Sequence, residues 1–245
     1  MDHVMIVGGT RGLGRVVTER FARNGANVTV VSRNPAQFAA LEQRVRHVAA
    51  DLERSGCAND ILAQAHLDSE PIRYLLFCQR YRGAGETWTG ELQVSLTATK
   101  EIIEALADHF CTDGDRAIGV VSSVYAQFAG DSQPAGYHVA KAGLNALVRY
   151  YARTLGPKGI RINAVMPLTY IKPESEQFYS GNPQLLDLYT KFVPLGRLGR
   201  ASDSADALEF LCCPKSAFIS GQCIFVDGGV SVVWQEALAR DLAKL

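Results

Sequence analysis

The chain has 245 residues, 47% of them hydrophobic, which is enough apolar material to bury one substantial core in a single domain. Its 25 basic and 25 acidic residues cancel, so no positive field exists to gather nucleic acid or an anionic membrane surface. No apolar run approaches the roughly 20 residues that a bilayer crossing needs. In chain order, short apolar runs predict strands at Val4–Val7, Val28–Val31, His47–Ala50, Tyr74–Phe77, Ala117–Val121, Arg161–Val165 and Cys223–Val226. Most are rich in Val, Ile or Leu, as strands buried on both faces should be. Helical spacing is found between them, at Gly14–Asn24 with Gly25 as a left-handed cap, and at Thr99–Phe110 with Ile102, Ile103 and Leu106 on one face. This alternation predicts an α/β fold, a doubly wound parallel sheet of seven strands with helices on both faces.

Residues Met1 to Met5 lead straight into the first strand, without a basic leader or a cleavage site, so a cytoplasmic protein is expected. Six scattered cysteines, without paired CxxC spacing, read as reduced and mostly buried thiols, and no metal site is expected. The stretch Leu168–Arg200 is long, aromatic and interrupted by Pro173, Pro183 and Pro194. Placed after a strand of such a sheet, it is expected to be a substrate lid.

The first strand runs into Gly8-Gly9-Thr10-Arg11-Gly12-Leu13-Gly14 and then a helix. Glycine allows the tight turn, and the free N–H groups of a helix start favour an anion, so the turn is a candidate diphosphate cradle. Its glycine spacing is not GxGxxG. The second strand ends in Ser32-Arg33, with no carboxylate to hold ribose hydroxyls. Arg33 and Arg11 instead offer planar guanidinium forks to a 2′-phosphate, which points to NADP. Asp51, closing the third strand, either accepts from an adenine amino group or caps its loop.

Tyr137 and Lys141 are four residues apart on a helical stretch, which places phenol and ammonium on one face. The ammonium is expected to stabilise the phenolate and lower its pKa. Ser122 and Ser123 end the fifth strand, and one hydroxyl, Ser123 in preference, can hold a substrate oxygen.

These motifs occur in one order: the glycine turn, Asp51, Ser122-Ser123, Tyr137 with Lys141, Arg161-Ile-Asn-Ala-Val-Met-Pro167 and Phe225-Val-Asp-Gly-Gly229. In that order, and over nearly its whole length, the chain resembles the short-chain dehydrogenase/reductase family of Rossmann-fold enzymes. The resemblance implies that Tyr137 is the general acid/base, Lys141 its electrostatic partner and ribose ligand, and Ser123 the orienting hydroxyl. It places further cofactor contacts at Leu52, Cys78, Gln79, Pro167, Thr169 and Tyr170. Phe77-Cys78-Gln79-Arg80 replaces the family's Asn-Asn-Ala-Gly, and Arg80, Tyr81 and Arg82 are placed either toward an anionic or polar substrate or at the surface. Ser95 stands for the catalytic asparagine that holds a relay water. Leu168 replaces the glycine after Pro167, and Lys172 takes a threonine's place near the diphosphate.

The resulting expectation is an NADPH-dependent oxidoreductase acting on the carbonyl or alcohol of a small molecule. Beside it stand a non-catalytic dinucleotide sensor or scaffold and a sugar-modifying enzyme with a tightly held cofactor. A homodimer or homotetramer is expected, pairing through helices around Ser95–Phe110 and Tyr137–Leu155. The 230–245 tail, with Val233, Trp234, Leu238, Leu242 and Leu245 at helical intervals, is expected to cover a neighbour's active site or its own subunit's flank.

Overall fold

A computed structural model describes residues 2–243. Met1 and Leu245, and the side chain of Leu242, lie outside the described residues. In chain order the sheet strands and their helices begin with β1 (His3–Val7), α1 (Gly12–Arg23), β2 (Asn27–Ser32), β3 (Val45–Ala49), α2 (Cys57–Gln64) and β4 (Tyr74–Phe77). There follow α3 (Thr87–Glu91), a π-helical segment (Leu92–Thr97), α4 (Ala98–Leu106), β5 (Arg116–Val121), α5 (Ala135–Leu155) and β6 (Ile160–Pro167). The chain then forms β7 (Tyr170–Ile171), α6 (Glu176–Ser180), α7 (Pro183–Phe192), β8 (Gly199–Arg200), α8 (Ala201–Cys212), β9 (Cys223–Val226) and α9 (Gln235–Ala243).

Seven strands pair in parallel in the order β3-β2-β1-β4-β5-β6-β9, the doubly wound arrangement expected from the sequence. β1 lies inside the sheet, between β2 and β4, and is apolar on both faces. Its alternate side chains serve two cores: Met5 and Val7 pack with Ile102, Ile103 and Leu106 of α4 and Leu144 and Val148 of α5. Val4 and Ile6 pack with Leu13, Val17 and Phe21 of α1 and Leu208 and Leu211 of α8. Val4, Met5, Ile6 and Val7 are wholly buried, so polar substitution in this strand has no water to recover. β2 and β4 flank β1, and the winding direction reverses between them. The crevice at the carboxyl ends of these strands is where such sheets bind ligands.

Helix boundaries differ from the sequence reading where tertiary pairing intervenes. α1 starts at Gly12 rather than Gly14, because the glycine turn flows directly into it. α4 ends at Leu106, four residues short of the expected Phe110. Phe110 is instead buried and pairs with Ile72 in an isolated bridge, anchored by the Ile72 N–H to the His109 carbonyl at 2.8 Å.

The segment expected to form a lid holds the two helices α6 and α7, with Pro183 in the first turn of the second, where a missing N–H costs nothing. Its short strand β7 pairs with β8. Phe178, Tyr179, Tyr189 and Phe192 stack in a chain of ring contacts. Helix α9 lies against α7 of its own chain, while Trp234 just before it stays exposed. All six cysteines are free; only Cys57 and Cys212 are fully buried, the other four half-buried. Among the described residues no helix is long and apolar enough to cross a membrane.

Candidate active site

A cavity of about 290 Å³ opens at the carboxyl ends of β1, β4, β5 and β6. Arg11, Gly12, Leu13 and Gly14 form one end. Ser122, Ser123, Tyr137 and Lys141 form another, and Cys78, Gln79, Arg80, Pro167, Thr169, Tyr170 and Lys172 close the sides. The glycine turn and the phenol–ammonium pair, more than a hundred residues apart in sequence, thus share one space.

The cradle is built for an anion. Gly8 has φ +80° and Gly12 has φ +52°, backbone that favours glycine. A Cβ on Gly14 would lie 2.1 Å from the Gly8 carbonyl oxygen, so no other residue closes this turn. The Gly12 N–H, at the start of α1, donates to the Glu174 carboxylate at 3.0 Å. An anionic oxygen therefore already sits on the helix start, and a dinucleotide's diphosphate fits the same donors. Burial pushes the Glu174 carboxyl up, but backbone N–H groups, Gly12 among them, and the charges of Arg82 and Lys172 outweigh it, holding Glu174 below the usual carboxylate range.

At the chemical end, Tyr137 rises from the first turn of α5 and is buried. The Lys141 ammonium lies 5.6 Å from its ring centre and donates to the Val121 carbonyl at 2.7 Å. Ser122 is occupied by a bond to the Lys141 carbonyl at 3.1 Å. Ser123 accepts from the Tyr125 N–H at 3.2 Å and also interacts with the Tyr137 phenol, which makes it, of the two hydroxyls, the one beside the phenol.

The electrostatics differ from the sequence expectation. Burial raises the Tyr137 phenol above the ordinary tyrosine range, and the groups that pull it back are Ser123 and then Arg80, not Lys141. Burial likewise pushes the Lys141 ammonium down to about 8. The guanidinium of Arg80 stacks on the Tyr137 ring at 5.0 Å and is hydrogen-bonded to Gln133. Two cations thus lie beside the ring, Lys141 at 5.6 Å and Arg80 at 5.0 Å, the second supplied by the altered fourth-strand turn.

The remainder of that turn points inward. Gln79 is buried and donates to the Thr99 hydroxyl at 2.7 Å, while its backbone crosses so near Gly8 that a Cβ there would lie 2.6 Å from the Gln79 Cα. Tyr81 is buried against Gly83 and Gly90, so it is not placed to meet a substrate. Arg82 lines the cavity with Arg80. Lys172 reaches over the Tyr170 ring at 5.4 Å. Burial, and then Arg82 and Arg80, lower its ammonium.

Several candidate residues lie outside the cavity lining. Gly8 shapes the turn behind it, and Thr10 is half-buried in that turn. Ser32 donates to the Asn34 carbonyl, Arg33 pairs with Glu53 at 2.6 Å, and Asp51 accepts from the Glu53 N–H at 3.1 Å as a loop cap. Leu52 is packed into the core. Ser95 is buried in the π-helical segment, and its hydroxyl donates to Glu91 at 3.3 Å. Glu91 is itself buried, and burial raises its carboxyl despite the pull of Arg80 and Lys141. Neither Glu174 nor Glu91 carried a sequence signal, since each acts through a contact made only in the fold.

The family model described as enoyl-(acyl carrier protein) reductase matches residues 80–231, well over half of the chain. The chain belongs to the short-chain dehydrogenase/reductase family. It is 29% identical to the isoepoxydon dehydrogenase of Penicillium expansum, over 94% of this chain and 95% of that protein. Among solved structures it is similar to an oxidoreductase of this family from Burkholderia thailandensis. That match has 28% identity and a TM-score of 0.81, covering 100% of this chain and 98% of the other. The same fold occurs in 4-hydroxyisoleucine dehydrogenase complexed with NADH, at 21% identity and a TM-score of 0.83, covering 96% of this chain and 100% of that one.

Proposed function

We propose that this short-chain dehydrogenase/reductase, acting as one catalytic domain, reduces the carbonyl of a small molecule with NADPH or oxidises the corresponding alcohol. The observation that carries the reading is a single cavity joining the anion-binding glycine turn to Ser123, Tyr137 and Lys141. A bound nicotinamide supplies or accepts the hydride. Ser123 holds the substrate oxygen beside the phenol, and the Tyr137 hydroxyl donates its proton to that oxygen as negative charge develops there. The phenolate left behind is stabilised by Ser123 and Arg80, the two groups that already favour it. The phenol, whose pKa burial raises further above neutral pH, carries its proton when a carbonyl arrives.

NADP is proposed over NAD because no carboxylate ends β2, while Arg11 and Arg33 offer forks to a 2′-phosphate. The Arg33–Glu53 pair leaves Arg11 as the less committed fork. Pairing of two or four copies through α4 and α5 is part of the same proposal, as is a lid role for residues 168–200, whose Thr169, Tyr170 and Tyr179 face the cavity.

The test is Tyr137→Phe assayed over a panel of ketones and aldehydes. Turnover should fall about a thousandfold, the scale of a lost general acid, with NADPH affinity within about twofold of wild type, since the ring itself remains. Full retained turnover would remove Tyr137 from the chemistry. Wild-type binding of NADPH without turnover of any carbonyl or alcohol would favour the sensor or scaffold reading. A higher kcat/KM with NADH than with NADPH would overturn the cofactor preference.

A further inference from the structure

The cavity is lined by the cations Arg11, Arg80, Arg82, Lys141 and Lys172, and among the described residues no Asp or Glu lines it. Arg11 lies with the glycine turn, where Glu174 already supplies a carboxylate to the Gly12 N–H. Arg80 and Arg82 lie elsewhere, beside the phenol and Tyr170. Arg80 has a neutral amide, Gln133, as its hydrogen-bond partner. Its charge acts on Tyr137, Lys141, Lys172 and Tyr170 and on the buried Glu91, and the charge of Arg82 acts on Lys172, Tyr170 and Glu174. Arg80, Arg82 and Lys172 thus face each other across one space, and the two nearby carboxylates are already bonded to Ser95 and to the Gly12 N–H, so an entering anion relieves the like-charge contact. With its Cζ 5.0 Å from the Tyr137 ring centre and one N–H given to Gln133, the Arg80 guanidinium has further N–H donors for the oxygens of an anion.

We propose that the substrate carries a carboxylate or phosphate within a few bonds of the reacting carbonyl, and that Arg80, backed by Arg82, grips that group. The short reach follows from position: the fork stacks on the same ring whose hydroxyl serves the carbonyl oxygen. This inference rests on the reductase reading above. The fourth-strand turn of the family, rewritten here with an arginine at residue 80, becomes the part of the site that selects the substrate.

The experiment compares short 2- and 3-oxo acids, their methyl esters and a phosphorylated hydroxyketone in wild type, Arg80→Lys and Arg80→Gln, with NADPH. Because Arg80 also favours the phenolate, all substrates slow in the variants, and the readout is the acid-to-ester ratio of kcat/KM. Wild type should prefer the acid about 10- to 100-fold, mainly through KM, the size of a charge-assisted hydrogen-bonded pair. Arg80→Gln should bring the ratio near one, and Arg80→Lys should retain part of it. A stronger preference for the phosphorylated ketone than for the oxo acids identifies phosphate as the group.

A ratio untouched by Arg80→Gln overturns the proposal. So does a loss of NADPH affinity that accounts for the whole effect, since Arg80 would then belong to the cofactor. Calorimetric titration of malonate and inorganic phosphate into the NADPH-loaded protein separates the two readings. Anion binding that depends on Arg80, with no carbonyl reduced, keeps the subsite and sinks the reductase reading. Equal reduction of acids and esters, with no anion binding, does the reverse.

Discussion

Lys141 is buried with its ammonium donating to a backbone carbonyl, and burial lowers it to about 8. Its folded pKa lies below its unfolded value, so the unfolded chain holds the proton more firmly. The buried charge therefore costs stability below about pH 8, and that cost disappears as pH rises from about 8 toward the ordinary lysine value near 10. Lys141→Met, which keeps the apolar stem, should raise Tm relative to wild type at pH 7, with the difference shrinking by pH 10. A difference independent of pH, in paired thermal melts, would show that the ammonium is not strained by its burial. A residue this expensive to bury is kept where it acts on something, and here its neighbours are the Tyr137 ring and the cavity. Its cost and the stacked Arg80 both belong to the same few ångströms of the site.

Among the elements, the turn that follows β7 reaches furthest into the glycine cradle. It carries Glu174 onto the start of α1, a helix with no acidic residue in its own first turn. The carboxylate satisfies a helix-terminal N–H that a diphosphate would otherwise claim. A dinucleotide seated on the glycine turn as proposed would displace Glu174, which would couple residues 168–200 to its binding. Replacing Glu174 by Gln weakens the competitor without changing its size. Dinucleotide affinity should increase about 2- to 5-fold, the scale of a ~0.3–1 kcal/mol charge–helix interaction. Fluorescence titration with NADPH checks this, and unchanged or weaker binding would show that the carboxylate does not compete.

On the scale of the whole molecule, α5 has a buried face made of Leu144, Val148, Tyr151 and Leu155, yet it leaves Val139 and Tyr150 exposed. These two lie eleven residues apart, about three helical turns, and so on one side of the helix. If copies pair through α4 and α5 as proposed, a charge at Tyr150 must be buried in the contact, which is costly without a partner. Tyr150→Glu should weaken self-association by at least about tenfold in dilution sedimentation while leaving the melting temperature of the fold near wild type. An unchanged association constant would move the interface elsewhere.

The seven strands, the glycine turn and the Tyr137–Lys141 pair were legible in the sequence because each depends on local physics. Two-faced burial writes a run of Val, Ile and Leu, a left-handed turn demands glycine, and a four-residue spacing puts two side chains on one helix face. Even there, pairing of Phe110 with Ile72 cut short a helix that its own periodicity would have continued. What only the tertiary structure decided is which groups act on one another at a distance. Arg80 gained the ring of Tyr137, Glu174 the amide of Gly12, and Ser95 the buried Glu91, while Tyr81 turned into the core. None of these follows from spacing, because electrostatic and hydrogen-bonding partners are chosen by proximity in the packed sheet, and proximity between β4, α5 and residues 168–200 exists only once the strands have taken their order.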